Sequence, residues 1–189
     1  MTTSYAADLA LFIDGQWRSG EGRDHHAVIN PATGETLAQL PLATATDLDE
    51  ALAATAKGFD IWRKTDVNER AAILHKVATL IRERAEDIAV LLTTEQGKPL
   101  AEARTEVLSC AVQFDYFAEE AKRSYGRVLV RPTGQRALVL KQPVGPVAAF
   151  SPWNFPVNLM CKKMAAALAA GCSIIAKPPE ETPGCTNAI

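Results

Sequence analysis

The sequence predicts an α/β fold that begins with short β hairpins and helices and continues into a parallel β–α–β unit. Residues 144–150 (VGPVAAF) and 172–176 (CSIIA) are continuous apolar runs, typical of short strands that are buried on both faces. Between them, residues 157–170 are rich in alanine and are followed by Gly171, which is typical of a helix and its C-terminal cap. Turn residues flanked by apolar residues recur near the start of the chain, where hairpins are expected.

The hairpins are predicted from turn residues that separate short apolar runs. Asp14-Gly15 lies inside ALFIDGQWRSG, and Thr33-Gly34 lies inside AVINPATGETLAQLP. A later segment, VLVRPTGQRALVLKQP, turns at residues 132–134 between the apolar runs VLV and ALVL. Each segment is therefore expected to form an antiparallel pair of strands.

The helices are predicted from capping residues and apolar spacing. Thr46 with Asp49 three residues later resembles a capping box and opens the first helix. A longer helix begins near Asp66 and continues to the break at residues 97–99. Its expected apolar face comprises Ile73, Leu74, Val77, Leu80, Ile81, Ile88, Leu91 and Leu92. Pro99 can then begin a helix that runs to about Arg123.

The composition is that of an ordinary globular protein. Hydrophobic residues make up 48% and charged residues 22% of the 189 residues, and the net charge of −2 gives no electrostatic case for nucleic acid or an anionic membrane. The longest apolar candidate, MAAALAAGCSIIA, is too short to span a bilayer, and MTTSYAADLA lacks the basic residues of a secretory signal. Four cysteines without metal-ligand spacing favour reduced thiols, so we expect a cytoplasmic protein.

Two polar clusters directly follow the predicted parallel strands. Residues 151–154 (SPWN) follow the first strand, and residues 177–180 (KPPE) follow the second. Because ligands of open α/β sheets bind beyond the carboxyl ends of the strands, both clusters are expected to line one crevice. The crevice would contain an amide, a cation and a carboxylate.

Each of these groups has a plausible chemical role. Glu180 is placed to accept hydrogen bonds from an adenosine ribose, and its charge would repel a 2′-phosphate, which favours NAD over NADP. Lys177 can donate to the same ribose. The side-chain amide of Asn154 is suited to stabilise a developing oxyanion, and the flanking prolines would stiffen its turn.

Structural interpretations of the same residues remain open at this point. Trp153 can pack under a loop, and Asn154 can serve only as a turn residue. Lys177 and Glu180 can form a solvated ion pair of little consequence. The sequence also lacks the G-x-G-x-x-G fingerprint, which counts against a standard Rossmann phosphate turn.

The cysteines and two further charged residues are weaker candidates. Cys161 and Cys172 are interpreted as small core residues. Cys185 follows a helix start, where a thiolate can be stabilised, so cysteine-dependent hydrolysis is a minor hypothesis. Glu95 and Lys98 lie at a predicted helix end and are interpreted as capping and surface charge.

Residues 151–183 (SPWNFPVNLMCKKMAAALAAGCSIIAKPPEETP) closely resemble the signature region of the NAD(P)-dependent aldehyde dehydrogenase superfamily. FIDGQW, INPATGE, FDIWRKTDVNERAAIL, TTEQGKPLAEARTEV and QPVGPVAAFSPWNFP resemble other family segments in the family's order. FAEEAKRSYGRVLVRP is similar to the succinate-semialdehyde dehydrogenase branch. The resemblance implies an incomplete Rossmann-type cofactor-binding domain with N-terminal hairpins and helices and a β oligomerisation arm.

The resemblance also implies roles for individual residues. In such enzymes a cysteine thiolate attacks the aldehyde, an asparagine amide holds the oxyanion, and hydride passes to the nicotinamide. The asparagine matches Asn154, the one catalytic residue expected in this chain. The cofactor-binding set is expected to comprise Ser151, Trp153, Asn154, Lys177, Pro179 and Glu180, with NAD as the cofactor and no metal.

The implied organisation has three parts. Residues 1–123 would form hairpins and helices of the cofactor-binding domain, 124–143 the oligomerisation strands, and 144–189 the first β–α–β of the NAD-binding sheet. The family's nucleophilic cysteine and general-base glutamate have no match here, so we expect an inactive N-terminal fragment. The intact enzyme would oxidise a small aldehyde, such as succinate semialdehyde, as a dimer or tetramer. The alternative is a non-catalytic nucleotide-binding or assembly module that pairs with a full-length relative.

Overall fold

The computed structural model describes Tyr5, Ala7 and residues 9–189. The strands are β1 Leu11–Ile13, β2 Gln16–Arg18, β3 His25–Ile29, β4 Thr36–Pro41, β5 Arg127–Leu129, β6 Ala137–Val139, β7 Val147–Phe150 and β8 Ile174–Lys177. The helices are α1 Ala45–Trp62, α2 Val67–Glu83, α3 Ala85–Gln96, α4 Leu100–Ala121, α5 Pro156–Ala169 and α6 Pro183–Asn187. The order of elements confirms an α/β fold.

The predicted hairpins are confirmed. Strands β1 and β2, β3 and β4, and β5 and β6 each pair antiparallel. At the first turn Asp14 and Gly15 have φ of 47° and 77°. A two-residue turn with positive φ at both positions matches the twist of the strands it joins. The second pair carries a bulge between Val28 and Ile29.

The predicted first helix is present, but its capping box lies two residues earlier than expected. The N-cap is Thr44, not Thr46, and its reciprocal partner is Asp47, not Asp49. The Thr44 backbone N–H donates to Asp47 Oδ2 at 2.8 Å, and the Asp47 N–H donates to Thr44 Oγ1 at 3.2 Å. Arg23 also pairs with Asp47 and holds the pKa of that carboxyl far below its usual range. The tertiary ion pair therefore selects between two capping boxes of equal spacing.

The long helix predicted from Asp66 is divided into α2 and α3. Asp66 is the N-cap, as predicted, and accepts from Asn68 N at 2.8 Å. The helix breaks at Arg84, where φ is −97° and ψ is 7°. The break lets α3 turn and pack its own apolar face on α4. Ile73, expected on the apolar face, is 43% exposed because neighbouring Leu74 occupies the core position.

The core lies among helices α2 to α5. Its largest fully buried side chains include Phe114, Leu74, Ile88, Leu92 and Val107. Helix α5 ends at the C-cap Ala170, and Gly171 follows with φ of 90°, a left-handed conformation that glycine adopts without strain. Within the residues described, no helix has both the length and the apolarity needed to cross a membrane.

Strands β7 and β8 form the predicted parallel pair, joined by α5. Val147 lies opposite Ile174, and Phe150 lies opposite Lys177. The expectation that both strands are buried on both faces is wrong for this chain, since Phe150 is exposed. The reason is that a parallel strand is buried only where neighbouring layers cover it, and this sheet has two strands that contact α5 and, through β8, α1.

A charged cluster joins α2 to α4. His75 Nδ1 lies 2.6 Å from Asp115 Oδ1, and His75 Nε2 lies 2.9 Å from Glu119 Oε1. Arg82 and Lys122 also contact these two carboxylates. Because Asp115 and then Glu119 face its ring nitrogens, the pKa of His75 is raised above its ordinary value of 6.5.

We expect the stabilising effect of His75 to disappear at alkaline pH. A histidine whose pKa is raised in the folded state contributes its full stabilisation below its ordinary pKa. That stabilisation is lost as the pH rises through the raised pKa. The unfolding free energy lost in His75→Gln should therefore be larger at about pH 6 than at about pH 9. The difference should be below about 1 kcal/mol because the cluster is partly exposed.

Urea unfolding of the wild type and His75→Gln at both pH values measures this difference. Lys76→Gln, on the same helix, provides the control and should cost the same at both pH values. A pH-independent effect of His75→Gln would contradict the assignment.

Candidate functional site

The carboxyl ends of β7 and β8 bring the two predicted clusters to one edge of the sheet. Phe150 and Lys177, the last residues of the two strands, are partners in the parallel register. The Ser151 backbone N–H donates to Lys177 O at 3.4 Å, which continues the pairing by one residue. Residues 151–154 and 177–180 therefore leave the sheet side by side.

Lys177 and Glu180 contact each other and remain open to solvent. Lys177 Nζ donates to Glu180 Oε2 at 3.1 Å, and the side chains are 53% and 52% exposed. The hydrogen bond from Lys177 lowers the pKa of Glu180. The carboxylate is consequently ionised at neutral pH and can be reached by a ligand. Pro179, between them in the chain, is buried and supports the loop.

Ser151 places a hydroxyl at the base of this edge. The residue is buried, and its Oγ has no hydrogen-bond partner among the described residues. A buried polar atom without a partner costs stability, so a ligand that hydrogen-bonds to this hydroxyl would remove that cost. The orphaned hydroxyl lies between the β7 backbone and the exposed turn that follows.

The turn after β7 exposes its aromatic and amide side chains. Trp153, Asn154 and Phe155 are all exposed, so Trp153 does not pack under a loop of the described chain. Pro156 occupies the first position of α5, where its missing N–H costs nothing. Within the described residues the Asn154 side-chain amide makes no hydrogen bond and is free to meet a ligand.

Lys98 was expected to be a surface charge, and this expectation is wrong. Its side chain is 9% exposed and pairs with Glu106, which is 2% exposed. Lys98 Nζ also donates to the backbone O of Asn154 at 3.2 Å, and Glu106 Oε1 accepts from Asn158 N at 3.0 Å. Lys98 and Asn154 are 56 residues apart in sequence, and Glu106 and Asn158 are 52 apart. A local sequence pattern therefore cannot predict these contacts.

Glu95 is a capping residue, but for a distant helix rather than its own. It is buried and accepts from Gly184 N at 2.7 Å and from Cys185 N at 2.9 Å, which are in the first turn of α6. The Tyr5 hydroxyl donates to it at 2.5 Å. Thr182, the residue before α6, makes no side-chain cap hydrogen bond. Glu95 therefore satisfies N–H groups that the local sequence leaves free.

The cysteines are all buried in the described structure. Cys161 and Cys172 pack in the interior, as predicted. Burial raises the pKa of the Cys185 thiol well above its usual range, and the nearby Glu95 carboxylate raises it further. The hypothesis that Cys185 is a stabilised thiolate nucleophile is therefore wrong.

Comparison with known proteins identifies relatives of the whole chain. A sequence profile described as "Aldehyde dehydrogenase family" matches residues 17–189. The 4-(hydroxymethyl)benzenesulfonate dehydrogenase TsaD1 of Comamonas testosteroni is 51% identical over 180 residues, which are 95% of this chain and 38% of that protein. The 3-sulfolactaldehyde dehydrogenase of Pseudomonas putida is 44% identical over 173 residues, 91% of this chain and 36% of that protein.

A solved structure shares the fold of the whole chain. The crystal structure of succinate-semialdehyde dehydrogenase from Burkholderia pseudomallei superposes with a TM-score of 0.93 at 40% identity. The match covers 100% of this chain and 39% of the other. The chain thus spans well under half of the length of these relatives.

We expect Glu95→Ala to destabilise the chain by about 3 kcal/mol, because it leaves two buried N–H groups without an acceptor. Urea unfolding followed by circular dichroism measures the loss. Glu83→Ala, which removes an exposed glutamate at the end of α2, should stay within about 0.5 kcal/mol of the wild type. Equal effects of the two substitutions would show that Glu95 caps nothing of consequence.

Proposed function

Because the chain belongs to the aldehyde dehydrogenase family, we propose that it takes part in the NAD-dependent oxidation of an aldehyde to a carboxylic acid. The observation that supports this proposal best is the common edge of β7 and β8, where Asn154, Lys177 and Glu180 leave the sheet together. Ligands of open α/β sheets bind at such edges. The reduced thiols of this chain are consistent with action in the cytoplasm.

The residues at this edge suit a dinucleotide. Glu180 and Lys177 offer a carboxylate acceptor and an ammonium donor for ribose hydroxyls, and both are open to solvent. The orphaned Ser151 hydroxyl supplies a further buried polar contact, while Pro179 and Trp153 complete the wall. Bound NAD would supply the hydride acceptor. The part of this chain in the chemistry would be the Asn154 amide, which donates to an oxyanion.

Family members use NAD or NADP, and we propose NAD for this chain. A 2′-phosphate on the ribose would meet the Glu180 carboxylate, which is ionised at neutral pH because Lys177 lowers its pKa. Two like charges about 4 Å apart repel by about 1 kcal/mol in water and by about 4 kcal/mol near a protein surface. The same carboxylate accepts hydrogen bonds from the two hydroxyls of the ribose in NAD.

We propose that the aldehyde carries an acidic group, as succinate semialdehyde does. The names of the three relatives above carry a sulfonate, a sulfo group and succinate, respectively. The substrates in these names share a distal acidic group, on an alcohol in the first and on an aldehyde in the other two.

The nucleophile of the reaction is not among the cysteines described, because all of them are buried. A thiol in the interior cannot attack an aldehyde in a cleft. A non-catalytic assembly module is therefore a second candidate function. The β5–β6 hairpin favours it, since it exposes apolar residues, with Val130 99% exposed and Val128 and Leu140 largely so. Exposed apolar strands are typical of interaction surfaces.

We expect the 189-residue chain to bind NAD at least about 10-fold more tightly than NADP, since one charge-assisted contact changes to a repulsion. Glu180→Gln should reduce this ratio to below about 3-fold by removing the repelling charge. Quenching of tryptophan fluorescence during titration with each dinucleotide measures both affinities. Glu181→Gln makes the same charge change one residue away and should keep the ratio. If Glu180→Gln leaves the ratio of the two affinities unchanged, the proposed role of Glu180 is excluded.

We also expect the chain alone to form no NADH with succinate semialdehyde. A separate expectation is that the chain self-associates through the β5–β6 hairpin. Sedimentation should show an assembly that Val130→Glu converts to monomer, since a charge on an apolar contact is unfavourable. Val144→Glu, exposed outside the hairpin, should leave the assembly intact. Sustained NADH formation by purified chain would refute the absence of a nucleophile, and a monomeric wild type would refute the assembly role.

A further inference from the structure

Lys98 and Glu106 form an ion pair that is almost wholly removed from water, with side chains 9% and 2% exposed. Taking two charges out of water costs several kcal/mol, and well-packed apolar residues usually stabilise a fold as well or better. Packing alone therefore does not account for the pair. What distinguishes a pair of charges from two apolar side chains is the ability to direct hydrogen bonds.

Both charges direct their remaining hydrogen bonds at the turn between β7 and α5. Lys98 Nζ donates to Asn154 O at 3.2 Å and lies 4.1 Å from the centre of the Phe155 ring. Glu106 Oε1 accepts from Asn158 N at 3.0 Å. The pair thus holds a carbonyl in the turn, the aromatic ring that follows it, and an N–H group in the first turn of α5.

The start of α5 has further support, whereas the Asn154 carbonyl depends on Lys98. The Asn158 side chain donates to Ser109 Oγ at 2.6 Å and accepts from Gln113 Nε2 at 2.9 Å. These hydrogen bonds tie α5 to α4 without involving Lys98. In the described part of the chain, Lys98 is the donor that reaches Asn154 O. The Asn154 side-chain amide makes no hydrogen bond there, so its position depends on where the backbone of residue 154 is held.

The geometry points to Lys98 and Glu106 as a positioning pair that fixes the backbone from which the Asn154 side chain projects. Lys98 fixes the carbonyl, and Glu106 holds the Lys98 ammonium in place while anchoring the helix that follows. Neither residue touches a substrate. The use of the Asn154 amide for an oxyanion rests on the proposed function, but the fixed position of the backbone does not.

The test is the mobility of residue 154 in the full 189-residue chain. We expect Lys98→Met to lower the NMR order parameter of the Asn154 backbone N–H from about 0.85 to below about 0.6. The N–H groups of α5 beyond Asn158 should remain rigid, because Ser109 and Gln113 still hold it. Lys76→Met, which removes an exposed ammonium on α2, should change neither region.

A second variant separates positioning from general stability. Lys98→Met leaves Glu106 as an uncompensated buried charge, so its melting temperature should fall. Lys98→Met/Glu106→Gln removes that charge and should recover most of the melting temperature, while residue 154 stays mobile. If order at residue 154 returns together with the melting temperature, or never changes, the positioning role is refuted.

The outcome is separable from that of the proposed function. Dinucleotide binding by the wild type, followed by tryptophan fluorescence, tests the cofactor site, whereas the order parameters are measured without any ligand. A chain that binds no dinucleotide but loses order at residue 154 in both variants would refute the proposed function and support the positioning pair. A chain that binds NAD and keeps its order in both variants would refute the pair alone.

Discussion

Two helix starts at the edge of the sheet depend on carboxylates that come from elsewhere in the chain. The residues before α5 and α6, Phe155 and Thr182, provide no side-chain cap. Glu106 and Glu95 supply the acceptors instead, and each is buried where it meets the helix. Because an uncapped helix start leaves several N–H groups without partners, the path of the chain after each strand depends on these two side chains.

Because the helix starts are capped by distant residues, the polar side chains of the loops are available to bind a ligand. The side-chain oxygen of a serine, asparagine or aspartate at a helix start usually accepts a hydrogen bond from a backbone N–H of the first turn. In the described structure, Ser151, Asn154 and Glu180 do not cap a helix in this way. The helical layer of α3 and α4 thus stabilises the edge, while the loops present the chemistry. Distant residues can thus hold a short turn whose own side chains stay exposed.

Local structure was largely predictable from the sequence, and long-range structure was not. Turn dipeptides, the cap at Asp66 and the apolar runs of β7 and β8 are signals that lie within a few residues of their effect. The choice of Thr44 over Thr46 depended on Arg23, which belongs to the hairpin region. The burial of Lys98 and Glu95 depended on partners 56 and 89 residues away. The family resemblance named the site residues, but it did not reveal what holds them.

The burial of the cysteines has a consequence for the chemical reactivity of this chain. All four thiols lie in the interior, and burial suppresses the thiolate form of Cys185. Oxidants and alkylating agents act on exposed thiolates. The fold of this chain therefore keeps its own sulfur atoms out of reach of such reagents.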